Sequence, residues 1–102
     1  MLYRQSDEVR RRCAALNLLV AGHAGGGNTD AVLQARILCH SLRGLLKDHE
    51  SQREIASIEG HAAVYLSGEQ EGPFARLQIA RQIALFEARL GRGLRAGRSA
   101  AA

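Results

Sequence analysis

Two cysteines, Cys13 and Cys39, and four histidines, His23, His40, His49 and His61, are the residues of this 102-residue chain that could ligate a metal or serve as nucleophile and base. Their spacing does not suit either task. A zinc site needs close ligand pairs such as C-x-x-C or two histidines one helical turn apart, and the chain has neither. Cys39 and His40 are adjacent, so on a helix they point about 100° apart. A Cys/His nucleophile also needs an orienting group and an oxyanion site, and no pattern in the chain specifies them. The expected metal, catalytic and cofactor sites are therefore none, and the chain is not expected to be an enzyme.

Three other stretches carry chemical potential. "GHAGGG" at 22–27 is glycine-rich and precedes a helical pattern, where backbone N–H groups attract anions. It follows a helix rather than a strand and lacks the Lys-Ser/Thr of a phosphate-binding loop, so it reads as a flexible turn. Glu50, Glu54, Glu59 and Glu69 read as solvated surface carboxylates. Arg10, Arg11 and Arg12 form a basic run, and Arg89, Arg92, Arg95 and Arg98 a basic tail. Fourteen Lys/Arg against ten Asp/Glu give a net charge of +4, equal to those four tail arginines. The body is thus neutral and the tail basic. Phosphate-backbone contacts could use both basic ends, but there is no recognition helix and no aromatic interleaving.

The elements that must position these residues are helical. Ser6, followed by Asp7 and Glu8, suits a helix start. Val9, Cys13, Leu16 and Val20 follow at helical spacing, with Leu19 widening the stripe, and Gly22 is placed to stop the helix. Thr29 or Asp30 caps a second helix carrying Ala31, Ala35, Leu38, Leu42 and Leu45, with Leu33 and Ile37 on a neighbouring face. Ser51 and Glu54 have capping-box spacing. Ile55, Ile58, Ala62, Tyr65 and Leu66 make the third stripe. Gly60 within it reads as a point of close helix approach, and Gly68 as a stop. Pro73 opens a fourth helix. Leu77, Ala80 and Ala84 line one of its sides, and Ile79, Ile83, Phe86 and Leu90 another. Gly91, Gly93 and Gly97 are expected to dissolve that helix.

These divisions predict one helical-hairpin domain over 1–91 and a flexible Gly/Arg/Ala tail over 92–102. Hydrophobic residues make up 46% of the chain, but aromatics only 4%. The core is therefore expected from close helix packing around alanine, with modest stability. The charged N-terminus carries no signal peptide pattern and no apolar run nears 18 residues, so a reduced cytoplasmic setting is expected for both thiols.

The chain also repeats itself. Ala31-x-Leu33-Gln34 matches Ala75-x-Leu77-Gln78, and Gly22 matches Gly68. Each unit reads helix, glycine stop, polar turn, small-residue helix start. One hairpin cannot bury its broad apolar face, but two stacked hairpins can. The expected fold is all-α: a tetratricopeptide-like array of antiparallel hairpins with four main helices, which leaves room for a short fifth. An ordinary four-helix bundle satisfies the same stripes.

Three stretches, "LNLLVAGHAGGGNTDAVLQARILCHSL", "IASIEGHAAVYLSGEQEGPFARL" and "IALFEARLGRGL", resemble the small tetratricopeptide-like chaperones of needle subunits in bacterial type III secretion. The resemblance spans about residues 14–95. The chain departs from that family in its shorter length and in a compressed stretch between the second and third units. The resemblance implies a non-enzymatic chaperone that holds an amphipathic helix of the needle subunit in an apolar groove, with a small helical co-chaperone as a further partner. Helix-in-groove recognition requires apolar anchors at helical spacing. On the first helix of each hairpin these are Leu16, Leu19, Val20, Ile58, Ala62, Tyr65 and Leu66. The alternative expectation is a small regulatory protein that contacts nucleic acid through its basic ends.

Overall fold

The computed structural model describes the backbone of residues 2–22, 27–69 and 72–101, and the side chains of 7–22, 27–69 and 72–91. Four helices follow one another: α1 (Leu2–Ala21), α2 (Thr29–Leu45), α3 (His49–Leu66) and α4 (Pro73–Ala101). No strand occurs among the described residues, and no helix there is long and apolar enough to cross a membrane. The all-α array of antiparallel hairpins read from the sequence is the observed fold. The connections are short and consecutive helices pack together, which makes neighbours antiparallel. α1 packs on α2, α2 on α3 and α3 on α4, and α4 returns to pack on α1. The two hairpins therefore close into a ring. α1 and α3 touch lightly across one diagonal, while α2 and α4 lie across the other with no contact among the described residues.

The stripes predicted from helical spacing form the core. Val9, Cys13, Leu16 and Val20 of α1 are buried together with Ala31, Ala35, Cys39 and Leu42 of α2. Ile55, Ile58, Ala62, Tyr65 and Leu66 of α3 and Ile79, Ile83 and Phe86 of α4 complete it. Four alanines, Ala31, Ala35, Ala62 and Ala63, are buried. A methyl side chain lets two helix axes approach closely, which is how a chain with few bulky residues fills its interior.

The helix ends differ from the sequence reading in informative ways. α1 starts at Leu2 rather than at Ser6. Gly22 does not take a left-handed stop; its N–H continues the helical pattern to the Leu18 carbonyl at 2.9 Å. Asn28, not Thr29 or Asp30, caps α2, its Oδ1 accepting from the Ala31 N–H at 3.0 Å. Asp48, not Ser51, caps α3, with Oδ2 accepting from the Ser51 N–H at 2.9 Å. In each case the capping side chain belongs to the residue with extended backbone just outside the helix. Gly68 does stop α3 in the left-handed region, at φ 86°, with its N–H to the Tyr65 carbonyl at 3.2 Å. Pro73 opens α4 as expected.

Two contacts tie the connections to the bundle. The Asn28 N–H donates to the Leu66 carbonyl at 2.9 Å, fastening the start of α2 to the end of α3. Gly27 lies so close to that helix end that a Cβ there would sit 2.7 Å from the Ser67 carbonyl oxygen. Only glycine fits such an approach without displacement.

Gly60 is a different case. Apart from its own stretch of helix, nothing lies within 4 Å of where its Cβ would be, and the residue is exposed, so it is not the close-approach point that its sequence position implied. Its backbone is helical with no positive φ. Gly60→Ala is expected to raise stability by about 0.5–1 kcal/mol. An increased urea midpoint at unchanged slope checks this, and an unchanged midpoint refutes it.

α4 continues through Gly91, Gly93 and Gly97 to Ala101, so the backbone expected to form a tail from residue 92 is helical. A glycine costs a helix about 1 kcal/mol without forbidding it.

Candidate functional site

The seven residues read as groove anchors lie inside the protein. Leu16, Val20, Ile58, Ala62, Tyr65 and Leu66 are buried, and Leu19 packs partly buried against the same core. The physical reason is ring closure. α4 lies over α1 and α3, so the face that an open array would present is filled by the chain's own Ile79, Ile83 and Phe86.

The basic residues divide in the same way. Arg89 is not part of a tail. Its guanidinium lies against α3, where Nη2 donates to Ser51 Oγ at 2.7 Å. Its Nε sits 2.6 Å from Glu54 Oε1 and its Nη1 3.6 Å from Glu50 Oε2. The Nε contact is charge against charge, since the N–H is not directed at an acceptor. The group also lies 5.8 Å from the centroid of the Phe86 ring. Arg12 of the N-terminal run is likewise engaged, bonding Glu8 and reaching Ser41 on α2. The side chains of Arg92, Arg95 and Arg98 lie outside the described residues.

Glu59 is not a solvated surface carboxylate. Only 14% of its side chain is exposed, and it bridges Arg43 at 2.7 Å and Arg36 at 3.6 Å, linking α2 to α3. Glu54 and Glu50 are tied to Arg89 as above. Charge pairs therefore link α2 to α3 and α3 to α4.

No group of three or more His, Cys, Asp or Glu suited to a metal ion occurs among the described residues. His23 and most of the glycine-rich turn lie outside them. His61 Nδ1 meets Gln82 Oε1 at 2.8 Å, and Gln82 Nε2 donates to Ser57 Oγ at 3.1 Å, which orients α4 on α3. A wide, open depression on α3 is lined by His49, Glu50, Arg53, Glu54 and Ser57. It brings no nucleophile to a base.

Both thiols are free and buried. Burial, then the nearby Glu87 and Cys39, pushes the Cys13 thiol up to about 12 from its ordinary 9.0. Burial, then Glu59, pushes Cys39 up to about 11. Neither thiol is a poised nucleophile, because the reactive form is the thiolate. Both native pKa values lie above the unfolded one. The contribution of each thiol to stability is therefore fully present below about pH 9 and is lost as pH rises from there through about 11 for Cys39 and about 12 for Cys13. Labelling by an aromatic disulfide at pH 8 is expected to be slow in buffer and rapid in urea. Rapid labelling of the folded chain would contradict the burial.

The structure does show an apolar surface, on faces that the sequence reading did not assign to binding. Phe74 is 83% exposed and Leu77 62%, and Leu85 is also exposed. At 100° per residue, Phe74, Leu77, Arg81 and Leu85 fall within an arc of about 80° on the side of α4 opposite Ile79, Ile83 and Phe86. α2 repeats the arrangement. Leu33 and Ile37 are exposed on the side opposite Ala31, Ala35 and Leu42. The available signal was the presence of two apolar rows on one helix, of which the core can take only one. Comparison with protein-family models, with curated proteins and with solved structures finds no match to this chain.

Proposed function

We propose that this chain is a non-enzymatic helical adaptor, acting in the cytoplasm, that holds an apolar helix of a partner protein against the outer face of α4. The observation that carries the reading is the row Phe74, Leu77 and Leu85, three large apolar side chains left to solvent on one helix face. Such side chains in a row at helical spacing are the anchors of helix recognition, and clustered exposure marks interaction surfaces. The resemblance to needle-subunit chaperones supplies the partner class: a subunit built to polymerise needs its amphipathic helix covered until assembly. The anchors in this reading are on α4, since the interior residues first read as a groove are occupied by the fold itself.

The experiment is titration calorimetry of the purified chain with a peptide spanning the C-terminal amphipathic helix of a needle subunit. Binding is expected to persist at raised salt, because apolar burial drives it, and to weaken about tenfold or more in Phe74→Ser/Leu77→Ser. If the double variant binds like the parent, or if the chain binds only nucleic acid with an affinity that collapses with salt, the reading is wrong.

A further inference from the structure

The outer rows of α2 and α4 match each other in type and in spacing. Along α2, Asp30 is followed by Leu33 and Ile37, at steps of three and four. Down α4, Arg81 is followed by Leu77 and Phe74, at steps of four and three. Laid antiparallel, the two rows put Asp30 opposite Arg81, Leu33 opposite Leu77 and Ile37 opposite Phe74. All six residues are exposed. Neither Asp30 nor Arg81 has an ion-pair partner among the described residues. The match cannot be satisfied within one chain, because α2 and α4 occupy opposite corners of the ring and do not touch among the described residues.

We infer that α4 of one copy docks on α2 of a second copy, in this antiparallel register. Two alternatives are disfavoured by the same residues. A symmetric α4–α4 contact that aligns Leu77 with Leu85 sets Arg81 against Arg81. A parallel α2–α4 pairing that aligns Leu33 with Leu77 sets Ile37 against Arg81 and Asp30 against Phe74. The favoured contact is heterologous: each copy offers an α4 face to one neighbour and an α2 face to another. The two faces lie at opposite corners and point away from each other, so two copies cannot satisfy both. The contact propagates into open chains rather than closing as a dimer. A single helix pair is a small interface, at the weak end of specific association. Self-association is thus a reserve state of the α4 face, in which α2 of a neighbour occupies the place of a partner helix. This inference rests on the reading of α4 as a docking face, but its measurement needs no partner.

The test is sedimentation velocity of the full chain over micromolar to millimolar concentration, with circular dichroism confirming the fold of each variant. The weight-average mass is expected to rise without a plateau at two copies. Asp30→Arg and Arg81→Asp are each expected to raise the concentration needed for association by about tenfold. An equimolar mixture of the two variants should recover association, since each restores the charge pair at the other's altered face. The double variant should recover it alone. Arg81→Asp lies on α4 and Asp30→Arg in the first turn of α2, so a folding defect in one leaves the other informative. A monomer at every concentration overturns the inference, even if α4 still binds a helical peptide. A plateau at dimer, or association indifferent to Asp30→Arg, also overturns it.

Discussion

Phe86→Ala is expected to remove a third or more of the stability of this protein. Phe86 is the largest fully buried side chain among the described residues, and it projects from α4 into the ring that α4 closes. Truncating a buried phenylalanine costs about 3–5 kcal/mol, the transfer term plus the cavity left behind. A chain of this length has roughly 5–15 kcal/mol in total. The Arg89 guanidinium, seated by the ring, loses that contact as well. Phe86→Leu keeps most of the volume and should cost no more than about 1.5 kcal/mol. Urea unfolding followed by circular dichroism measures both. A loss for Phe86→Ala of less than about 1 kcal/mol, far below the range for buried phenylalanines, would mean that α4 is not seated as described.

The second large effect belongs to Arg89. Arg89→Ala is expected to cost about 2–3 kcal/mol, because it strips charge-assisted contacts from partners that stay in place. Ser51 is fully buried and loses the donor to its Oγ, while Glu54 and Glu50 lose their cation. Ser51 also serves Asp48, whose carboxyl is held below its ordinary value chiefly by the Ser51 backbone N–H. The arginine thus braces the residue on which the α3 cap depends. Arg89→Lys keeps the charge but not the fork that spans Ser51 and Glu54, so an intermediate loss is expected. A double-mutant cycle of Arg89→Ala with Ser51→Ala should give a coupling of about 1 kcal/mol. Additivity of the two substitutions would show that the contact carries no energy.

The interior was legible in the sequence because a helix must hide one face, and a period of 3.6 identifies that face whatever it packs on. Val9, Cys13, Leu16 and Val20, or Ile79, Ile83 and Phe86, needed no knowledge of their neighbours. Caps were less legible, because Asn28, Thr29 and Asp30 are adjacent residues of similar capping strength and backbone conformation chooses among them. The same holds for Asp48 and Ser51. The glycines near the end of α4 were read as breakers, yet each imposes a cost rather than a prohibition.

The candidate site was the least legible feature. An apolar stripe states that water is excluded, not what excludes it. Leu16, Val20, Tyr65 and Leu66 lie in a core that Ile79, Ile83 and Phe86 of α4 complete, and that depends on the pairing of α1 with α4, elements separated by the whole middle of the chain. Arg89 was misread for the same reason: its partners Ser51 and Glu54 lie on another helix. The outer rows of α2 and α4 gain significance only when the ring is closed and one apolar row on each helix is left outside.

The alanines of the helix seams bear on how this protein meets heat and cold. The heat-capacity increment of unfolding grows with the apolar area exposed, by about 0.45 cal/mol/K per Å². Ala31, Ala35, Ala62 and Ala63 are buried, and each exposes less apolar area than a leucine would when the chain opens. The stability curve of this bundle is therefore expected to be shallower than that of a bundle of the same length with leucine at those four positions.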